Sequence, residues 1–144
     1  MTRVHLLHIK ALENPSPVNK RLDFDITLEC SELLQQDLEW RLVYVGASDS
    51  LENPFDQELE HLLLGPIGRG RMHFVLSAKP PDLSLLPLEH RMGAAVLLLT
   101  CKYKEQEFLR VGYFVNTECL QDSSIVRDIL MEAPRMTHSI INWD

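Results

Sequence analysis

Six histidines and three cysteines are the residues of this 144-residue sequence whose types could support metal binding or nucleophilic catalysis. His5 and His8 are three residues apart, and on a strand this spacing places them on opposite faces, which predicts no metal pair. No two cysteines have the spacing of metal ligands. A Cys101–His73 couple would need the fold to bring both side chains together, and a buried core thiol is the favoured interpretation of Cys101. We therefore expect no metal site.

The glycine-containing motifs of common enzyme classes are also missing from the sequence. It contains neither Gly-x-Ser-x-Gly nor Gly-x-Gly-x-x-Gly. The turn from Gly65 to Gly70 has too few glycines, wrongly placed, for a loop that cradles phosphate. We expect a protein that is not an enzyme and needs no cofactor. A binding module is the stronger hypothesis, because the unusual features concern apolar surface and charge.

The charge of the chain limits its partners. The formal net charge is -7 at pH 7, which disfavours direct binding to nucleic acid or to anionic lipid and favours a basic partner. The segment 47–60 carries five carboxylates and neither Lys nor Arg. A solvated acidic loop is the default interpretation of this segment, and part of a surface for a basic partner is the alternative.

The segment 92–115 contains the feature around which the rest of the chain is organised. Two apolar runs are separated by the polar residues 104–106, a pattern that predicts a β-hairpin. The first arm is apolar on both faces, with Ala94, Val96, Leu98 and Thr100 on one and Ala95, Leu97, Leu99 and Cys101 on the other. One face can pack in a core, so the second needs a cover from this chain or from another molecule.

Alternating and apolar segments predict further strands along the chain. The clearest runs from Leu22 to Cys30, where apolar residues alternate with Asp23, Asp25, Thr27 and Glu29. Other strands are predicted over 4–9, 38–46, 62–66 and 71–78. In the strand over 38–46 the outward positions Val43 and Val45 are apolar, which is a second indication of a covered outer surface.

The C-terminal third is predicted to contain one short helix and a last strand. Ser123 or Ser124 would cap the helix, Ile125 and Ile129 would stack at i,i+4 spacing, and Pro134 would end it. A strand over 135–143 closes the chain. The sequence therefore predicts an all-β protein, a β-sandwich with one short helix near the C-terminus, in a single domain over residues 1–144.

The cysteines and the apolar runs indicate a compartment. Cys30, Cys101 and Cys119 are an odd number without framework spacing, so we expect free thiols in a reducing compartment. We expect no signal peptide, because charge and proline interrupt the first 17 residues. The longest apolar run, 94–99, is far shorter than the roughly 20 residues needed to span a bilayer.

Several blocks of this sequence resemble the anti-silencing function histone chaperone family. They are Asn14-Pro15-Ser16-Pro17, Asp37-Leu38-Glu39-Trp40, Tyr44-Val45-Gly46, Gly65-Pro66, the run 106–113 and Ile141-Asn142-Trp143, in the family's order. The resemblance covers essentially the whole chain. It implies an immunoglobulin-like β-sandwich in the nucleus, with a cytosolic pool allowed. It also implies a monomer that binds the dimer of histone three and histone four and passes it to other factors.

The resemblance also implies three sets of binding residues. The histone-three groove matches Val45, Asp49, Asp56, Ala94, Val96, Leu98, Arg110, Tyr113 and Phe114, with Val96 at its centre. The strand that pairs with the histone-four tail matches the segment 135–141, with Arg135, Met136, Thr137 and Ile141. A surface for the basic motif of downstream chaperones matches Asp37, Glu60, Leu63 and Leu64. Carboxylates there would receive arginine, and leucines would receive an apolar anchor.

The sequence departs from the family pattern at a few of these places. His90 stands where the family has an aspartate, Gln36 replaces a glutamate, and Phe114 lacks a tyrosine hydroxyl. About ten residues of the family pattern are missing between Glu118 and Asp128. A histone chaperone that blocks tetramer formation by its histone dimer and hands that dimer on is therefore the first hypothesis. The alternative is a β-sandwich adaptor for protein–protein contacts that has lost histone binding.

Overall fold

A computed structural model describes residues 2–46 and 56–144 of the chain. Within these ranges the backbone forms ten strands and two 3₁₀ turns. The strands are β1 Val4–Ala11, β2 Ser16–Pro17, β3 Leu22–Cys30, β4 Leu38–Val45, β5 Gln57–Leu64, β6 Gly70–Ala78, β7 Gly93–Tyr103, β8 Gln106–Cys119, β9 Ile125–Ile129 and β10 Arg135–His138. The 3₁₀ turns span Leu83–Leu85 and Leu88–His90.

The strands form two sheets packed face to face. The smaller sheet has the order β1-β3-β6, and the larger has the order β2-β9-β8-β7-β4-β5, with β10 paired to β8 beside β9. The core lies between the sheets, where Phe24 of β3 stacks on Tyr113 of β8 and Phe74 of β6 packs against Trp40 of β4. The prediction of an all-β sandwich is confirmed.

The alternating pattern of β3 is confirmed in the structure. Every second residue from Leu22 to Cys30 is buried, and the residues between them are half-buried on the outer face. The predicted hairpin is β7 and β8, joined by Lys104 and Glu105. Both turn residues have positive φ, 49° and 65°, as a two-residue turn between right-twisted strands requires.

The predicted helix between Ser123 and Pro134 is wrong. Residues 125–129 form β9, which pairs with β8 on one edge and with β2 on the other. Burial alternates along β9, with Arg127 and Ile129 inward. The guanidinium of Arg127 donates to the carbonyl oxygens of Val18 and Lys20 and to the Ser16 hydroxyl. An isolated helix shorter than about 12 residues is marginal in water, and pairing with β2 and β8 satisfies the backbone groups of residues 125–129 instead.

The predicted last strand over 135–143 is too long, because β10 ends at His138. Trp143 turns back onto the rings of Tyr103 and Phe108, at centroid distances of 5.3 and 4.7 Å. The Gln106 side chain bonds both the N–H and the carbonyl of Asn142 and so replaces ladder hydrogen bonds there. Burial of the indole therefore ends the strand.

The predicted strand over 62–66 is also misplaced: β5 begins at Gln57 and ends at Leu64. The cis bond between Gly65 and Pro66 follows it. Within the described ranges, no helix is long and apolar enough to cross a membrane.

His5 and His8 share a face, contrary to the prediction from their spacing. A bulge between Leu6 and His8 shifts the register of β1, so that His5 lies opposite Glu29 and His8 opposite Thr27 on the outer face of β3. Even so, the residues that the structure describes include no cluster of three or more His, Cys, Asp or Glu side chains that could hold a metal ion.

Candidate protein-binding groove

The outer face of the larger sheet carries an apolar area at the hairpin. In the register of the sheet, Val96 of β7 lies between Val45 of β4 and Phe114 of β8. In the next row on the same face, Leu98 lies between Val43 and Gly112. Val96 and Leu98 belong to the second apolar face of β7, the face that the sequence predicts to need a cover. The structure leaves both side chains only half-buried.

A groove of about 290 Å³ runs over these rows. We call it the β7–β8 groove, and it is lined by Val96, Leu98, Arg110, Gly112, Tyr113, Phe114, Arg135 and Thr137. Phe114 is 41% exposed, which is high for an aromatic side chain. Ala94 continues the same face at one end and is exposed, and Val45 is paired to Val96. The structure therefore brings most of the predicted histone-three residues together.

Gly112 is a groove residue that sequence reasoning missed as a site. A Cβ at this position would lie 3.4 Å from Leu98 Cδ2 and 3.9 Å from the carbonyl oxygen of Arg135. A larger side chain would therefore occupy the floor of the groove. A glycine inside a strand is a signal for close approach by another backbone or ligand, and it could have identified this position.

The predicted tail strand and the predicted groove form one surface. β10 pairs with β8 from Arg135 opposite Gly112 to His138 opposite Leu109. Arg135 and Thr137 line the groove, and the Arg135 guanidinium carbon lies 5.6 Å from the centroid of the Phe114 ring, a cation–π contact. All four residues of β10 are exposed.

Met136 and Ile141 do not join this surface in the same way. Met136 points to the opposite face of β10, where it lines a small cavity with Leu6 and Pro134. Ile141 was predicted within the tail strand, but it lies after the end of β10 and packs partly against the core.

Tyr113 is placed differently from the prediction. Its ring is on the inner face of β8, buried and stacked on Phe24 at a centroid distance of 6.4 Å. Burial raises the pKa of Tyr113 to about 12. Tyr113 contributes to the bottom of the groove from the core side, and its buried ring is not accessible to a partner.

Arg110 carries the charge at the lower end of the groove. Its Nε and Nη2 donate to the two carboxylate oxygens of Glu107, at 3.2 and 3.3 Å. The side chain is half-exposed and faces the groove. Of the two acidic residues predicted at the rim, Asp56 is exposed just before β5, and Asp49 lies outside the described residues.

The second predicted surface, for downstream chaperones, lies along β5, the last strand of the larger sheet. We call it the β5 edge surface, and it comprises Asp37, Glu60, Leu63 and Leu64. Leu63 is on the outer face and is 62% exposed, whereas Leu64 packs partly against the core. Glu60 lines a polar cavity with Arg21 and Lys79. The four residues therefore surround the edge strand and do not share one face.

Gly65 fixes the position of Asp37 on this surface. A Cβ on Gly65 would lie 1.8 Å from the Asp37 carboxylate oxygen Oδ1, so only glycine leaves room for this carboxylate. Nearby carboxylates have partners within the chain: Nε2 of His61 is 2.6 Å from Glu39 Oε2, and Nε of Arg41 is 2.5 Å from Glu58 Oε2. Sequence reasoning missed both contacts, because they depend on the pairing register of β4 and β5.

The Cys101–His73 couple considered from the sequence does not form. Cys101 is buried on the inner face of β7, and burial raises the pKa of its thiol well above the usual value. His73 is exposed on β6 in the other sheet, and its Nε2 contacts Asp25. The thiol therefore packs as a small apolar side chain.

Comparisons with known proteins match the whole chain. The family model described as ASF1 like histone chaperone matches residues 1–144. Over 156 aligned residues the chain is 44% identical to Histone chaperone ASF1B of Homo sapiens, covering 100% of the chain and 76% of the human protein. It is 46% identical to Histone chaperone asf1 of Emericella nidulans and 45% identical to Histone chaperone ASF1 of Saccharomyces cerevisiae. In both cases the match covers 100% of the chain and 55% of the fungal protein.

Proposed function

Because the chain belongs to the ASF1-like histone chaperone family, we propose that it acts in nucleosome assembly by binding one dimer of histone three and histone four in the β7–β8 groove. The observation that carries this proposal is the groove itself. An apolar area at Val96, Leu98 and Phe114 faces outward from the sheet, at the positions where the family resemblance places the contact with a histone-three helix.

A helix fits the shape and chemistry of this groove. Helix-in-groove recognition lays an apolar stripe of side chains into an apolar channel, and the rows at Val96 and Leu98 supply that channel. Arg110 lies toward the hairpin end of it, and Arg135 lies along its β10 side. Desolvated apolar contacts at the centre would supply most of the affinity, and the charges around them would orient the helix.

Binding of the histone-three helix in the groove would also determine how the chain acts on histones. The histone-three helix that the groove covers is the one that joins two histone dimers into a tetramer. A chain bound to it therefore holds one dimer and blocks tetramer formation. This step needs shape and charge alone.

The strand β10 offers a second contact to the same histone dimer. One edge of β10 pairs with β8, and its residues are exposed. A strand with a free edge presents N–H and carbonyl groups that an extended chain can pair with. We propose that the histone-four tail adds to this edge, beside Arg135 and Thr137 of the groove.

The negative charge of the chain favours a basic ligand. At a net charge of -7, long-range attraction would raise the association rate with histones, and salt would lower it, because charges are screened beyond about 8 Å at physiological ionic strength. An adaptor that binds only through an apolar surface would lose less affinity with salt.

The β5 edge surface would receive the basic motif of downstream chaperones. Asp37 and Glu60 supply carboxylates for arginine, and Leu63 supplies an exposed apolar contact. This surface lies at the β5 edge of the sheet, away from β8, so a downstream factor could dock while the groove is occupied. We propose that the chain works as a monomer in the nucleus, with a pool in the cytosol.

The test is whether the chain separates two histone dimers. Histone three carrying a fluorescent donor or acceptor would be assembled into tetramers, and energy transfer between the two copies would be followed as the chain is added. We expect the transfer to be lost at one chain per histone dimer. Unchanged transfer with no complex would contradict the proposal and favour the adaptor that has lost histone binding.

A further inference from the structure

A polar cavity lies where β5 meets the ends of β3 and β6. Its volume is about 390 Å³, and it is lined by Arg21, Glu58, Leu59, Glu60, His61 and Lys79. Arg21 directly precedes β3, Lys79 directly follows β6, and the other four residues belong to β5. Of these residues only Glu60 belongs to the β5 edge surface, so the cavity adds further charged groups beside that surface.

Two cations line the cavity on the side of the smaller sheet. The register of β3 and β6 places Arg21 and Lys79 opposite each other, just beyond the last paired residues. The Arg21 guanidinium donates from Nε to the Ser77 hydroxyl at 3.0 Å and from Nη2 to the Ser77 carbonyl at 3.2 Å. The backbone N–H of Lys79 donates to the carbonyl of Leu59 at 3.3 Å. These bonds hold both residues next to the edge of β5.

Two carboxylates line the cavity on the β5 side. Glu58 Oε2 already accepts from Arg41 Nε at 2.5 Å, whereas Glu60 Oε1 accepts from the backbone N–H of the next residue at 2.8 Å. Among the residues that the structure describes, neither Arg21 nor Lys79 forms an ion pair, and Glu60 has no cationic partner. The cavity therefore holds unpaired charges of both signs, on two different elements.

This arrangement suits a ligand with neighbouring groups of opposite charge. A phosphate or a nucleic-acid backbone would bring negative charge alone next to Glu58 and Glu60, on a chain with a net charge of -7. A peptide that is basic throughout would be repelled by Arg21 and Lys79. An extended peptide can satisfy both sides, because side chains two residues apart lie on the same face, separated by about 7 Å.

We propose that Arg21 and Lys79 extend the β5 edge surface and select downstream chaperones whose basic motif is followed or preceded by an acidic residue. This inference rests on the proposed function of that surface. A basic side chain of the motif would reach Glu60, and the acidic side chain two residues away would reach the two cations. Exposed ion pairs contribute little affinity, so the cavity acts on specificity, by accepting this charge pattern and rejecting a motif that is basic throughout.

The test uses labelled peptides that contain two arginines and a leucine, with an aspartate placed one, two, three or four residues from the arginines. Fluorescence anisotropy would give the affinity of each peptide for the chain, relative to a peptide with asparagine at the same position. We expect aspartate to strengthen binding about 3- to 5-fold at the position two residues away. General electrostatics predicts the opposite sign, because a chain with a net charge of -7 repels an added negative charge.

Substitutions of Lys79 would show whether this preference comes from the cavity. Lys79→Gln should remove the preference for aspartate, and Lys79→Glu should reverse it, so that lysine at the same position of the peptide binds more tightly than aspartate. Lys10→Gln, at an exposed position of β1, is the matched control and should keep the preference of the parent. Higher salt should reduce the preference of the parent, because both cations are exposed. Unchanged histone binding would verify that each variant is folded.

The outcomes separate this inference from the proposed function. If no position of the aspartate strengthens binding, or if the gain persists in Lys79→Gln, the selection by Arg21 and Lys79 is wrong. The β5 edge surface would then still stand if Leu63→Arg weakens binding of the arginine peptides. If none of the peptides binds the parent chain, the edge surface and the inference both fail.

Discussion

The β7–β8 groove and the β5 edge surface lie on the same sheet, but their side chains are positioned by different means. β7 and β8 are central strands with a neighbour on each edge, so register alone places Val96 and Leu98. Within the part of the chain that the structure describes, β5 pairs with another strand on one edge only, and a bulge between Leu42 and Val43 shifts its pairing with β4. The register of the sheet thus determines where the groove side chains lie, whereas the side chains of the edge surface are positioned by individual residues.

The two surfaces also differ in how their charges are used. In the groove, Arg135 lies over an aromatic ring and Arg110 is paired with one carboxylate at the rim. At the edge of β5, His61 and Arg41 occupy the neighbouring carboxylates Glu39 and Glu58. A ligand of the groove gains mainly from apolar burial, and a basic ligand of the edge must compete with side chains that already contact these carboxylates.

The largest expected effect comes from a charge placed in the groove. Val96→Arg should weaken histone binding by about 100-fold or more, because a guanidinium would be buried without a partner in the contact. Binding of a basic peptide at the β5 edge surface should be unchanged. Titrating the histone dimer and the basic peptide separately into Val96→Arg would show whether histone binding alone is lost. Val75→Arg, on an exposed position of the other sheet, is the matched control and should bind histones like the parent.

Adding a side chain at the floor of the groove should weaken histone binding less than a charge in the groove does. Gly112→Val would place methyl groups against Leu98 and the backbone of Arg135, so histone binding should fall about 10-fold. Valine favours a strand, and thermal unfolding would verify that the variant is folded. Gly68→Val is the control, because a Cβ there meets nothing within 4 Å. Equal histone affinity for both variants would mean that the floor of the groove is not in contact with the ligand.

A substitution at the β5 edge surface should have the opposite effect, weakening peptide binding but not histone binding. Leu63→Arg should lower the affinity for a basic peptide about 10-fold, through lost apolar contact and added repulsion, and should leave histone binding unchanged. Fluorescence anisotropy of a labelled arginine-containing peptide would measure this, with Leu33→Arg as control. Loss of histone binding by Leu63→Arg would contradict the division into two surfaces.

The smallest effect is expected at the rim. His90→Asp adds a negative charge to the second 3₁₀ turn, where the family resemblance places an aspartate of the histone rim, and should raise the association rate with histones about twofold at low salt. Stopped-flow mixing at several salt concentrations would test it, with His5→Asp on β1 as the control. Equal rates for the two variants would mean that His90 is not near the path of the ligand.

Much of the fold follows from local pattern, and the exceptions have physical causes. The alternation in β3 and the two-faced arm of β7 predict strands because burial on a sheet has a period of two residues. β9 was predicted as a helix because Ile125 and Ile129 satisfy both periods, and only the pairing with β2 and β8 decides between them. Trp143 shortened β10 through a long-range contact with Phe108 that no local pattern contains.

The candidate site was predictable to a similar degree. Apolar residues on the outer face of β7 predicted a covered surface, and the family resemblance supplied Arg110 and Phe114. That β10 and the groove form one surface could not be predicted, because it depends on the pairing of Arg135 with Gly112. The inward ring of Tyr113 follows from its place in β8, one residue before Phe114, and alternation would have predicted it.

The most direct test of the account is size-exclusion chromatography with light scattering on the chain mixed with the histone dimer and a labelled basic peptide. The account predicts one complex whose mass corresponds to one chain, one histone three and one histone four, with the peptide label in the same peak. Displacement of the histones by the peptide would contradict the claim that the β7–β8 groove and the β5 edge surface are separate sites.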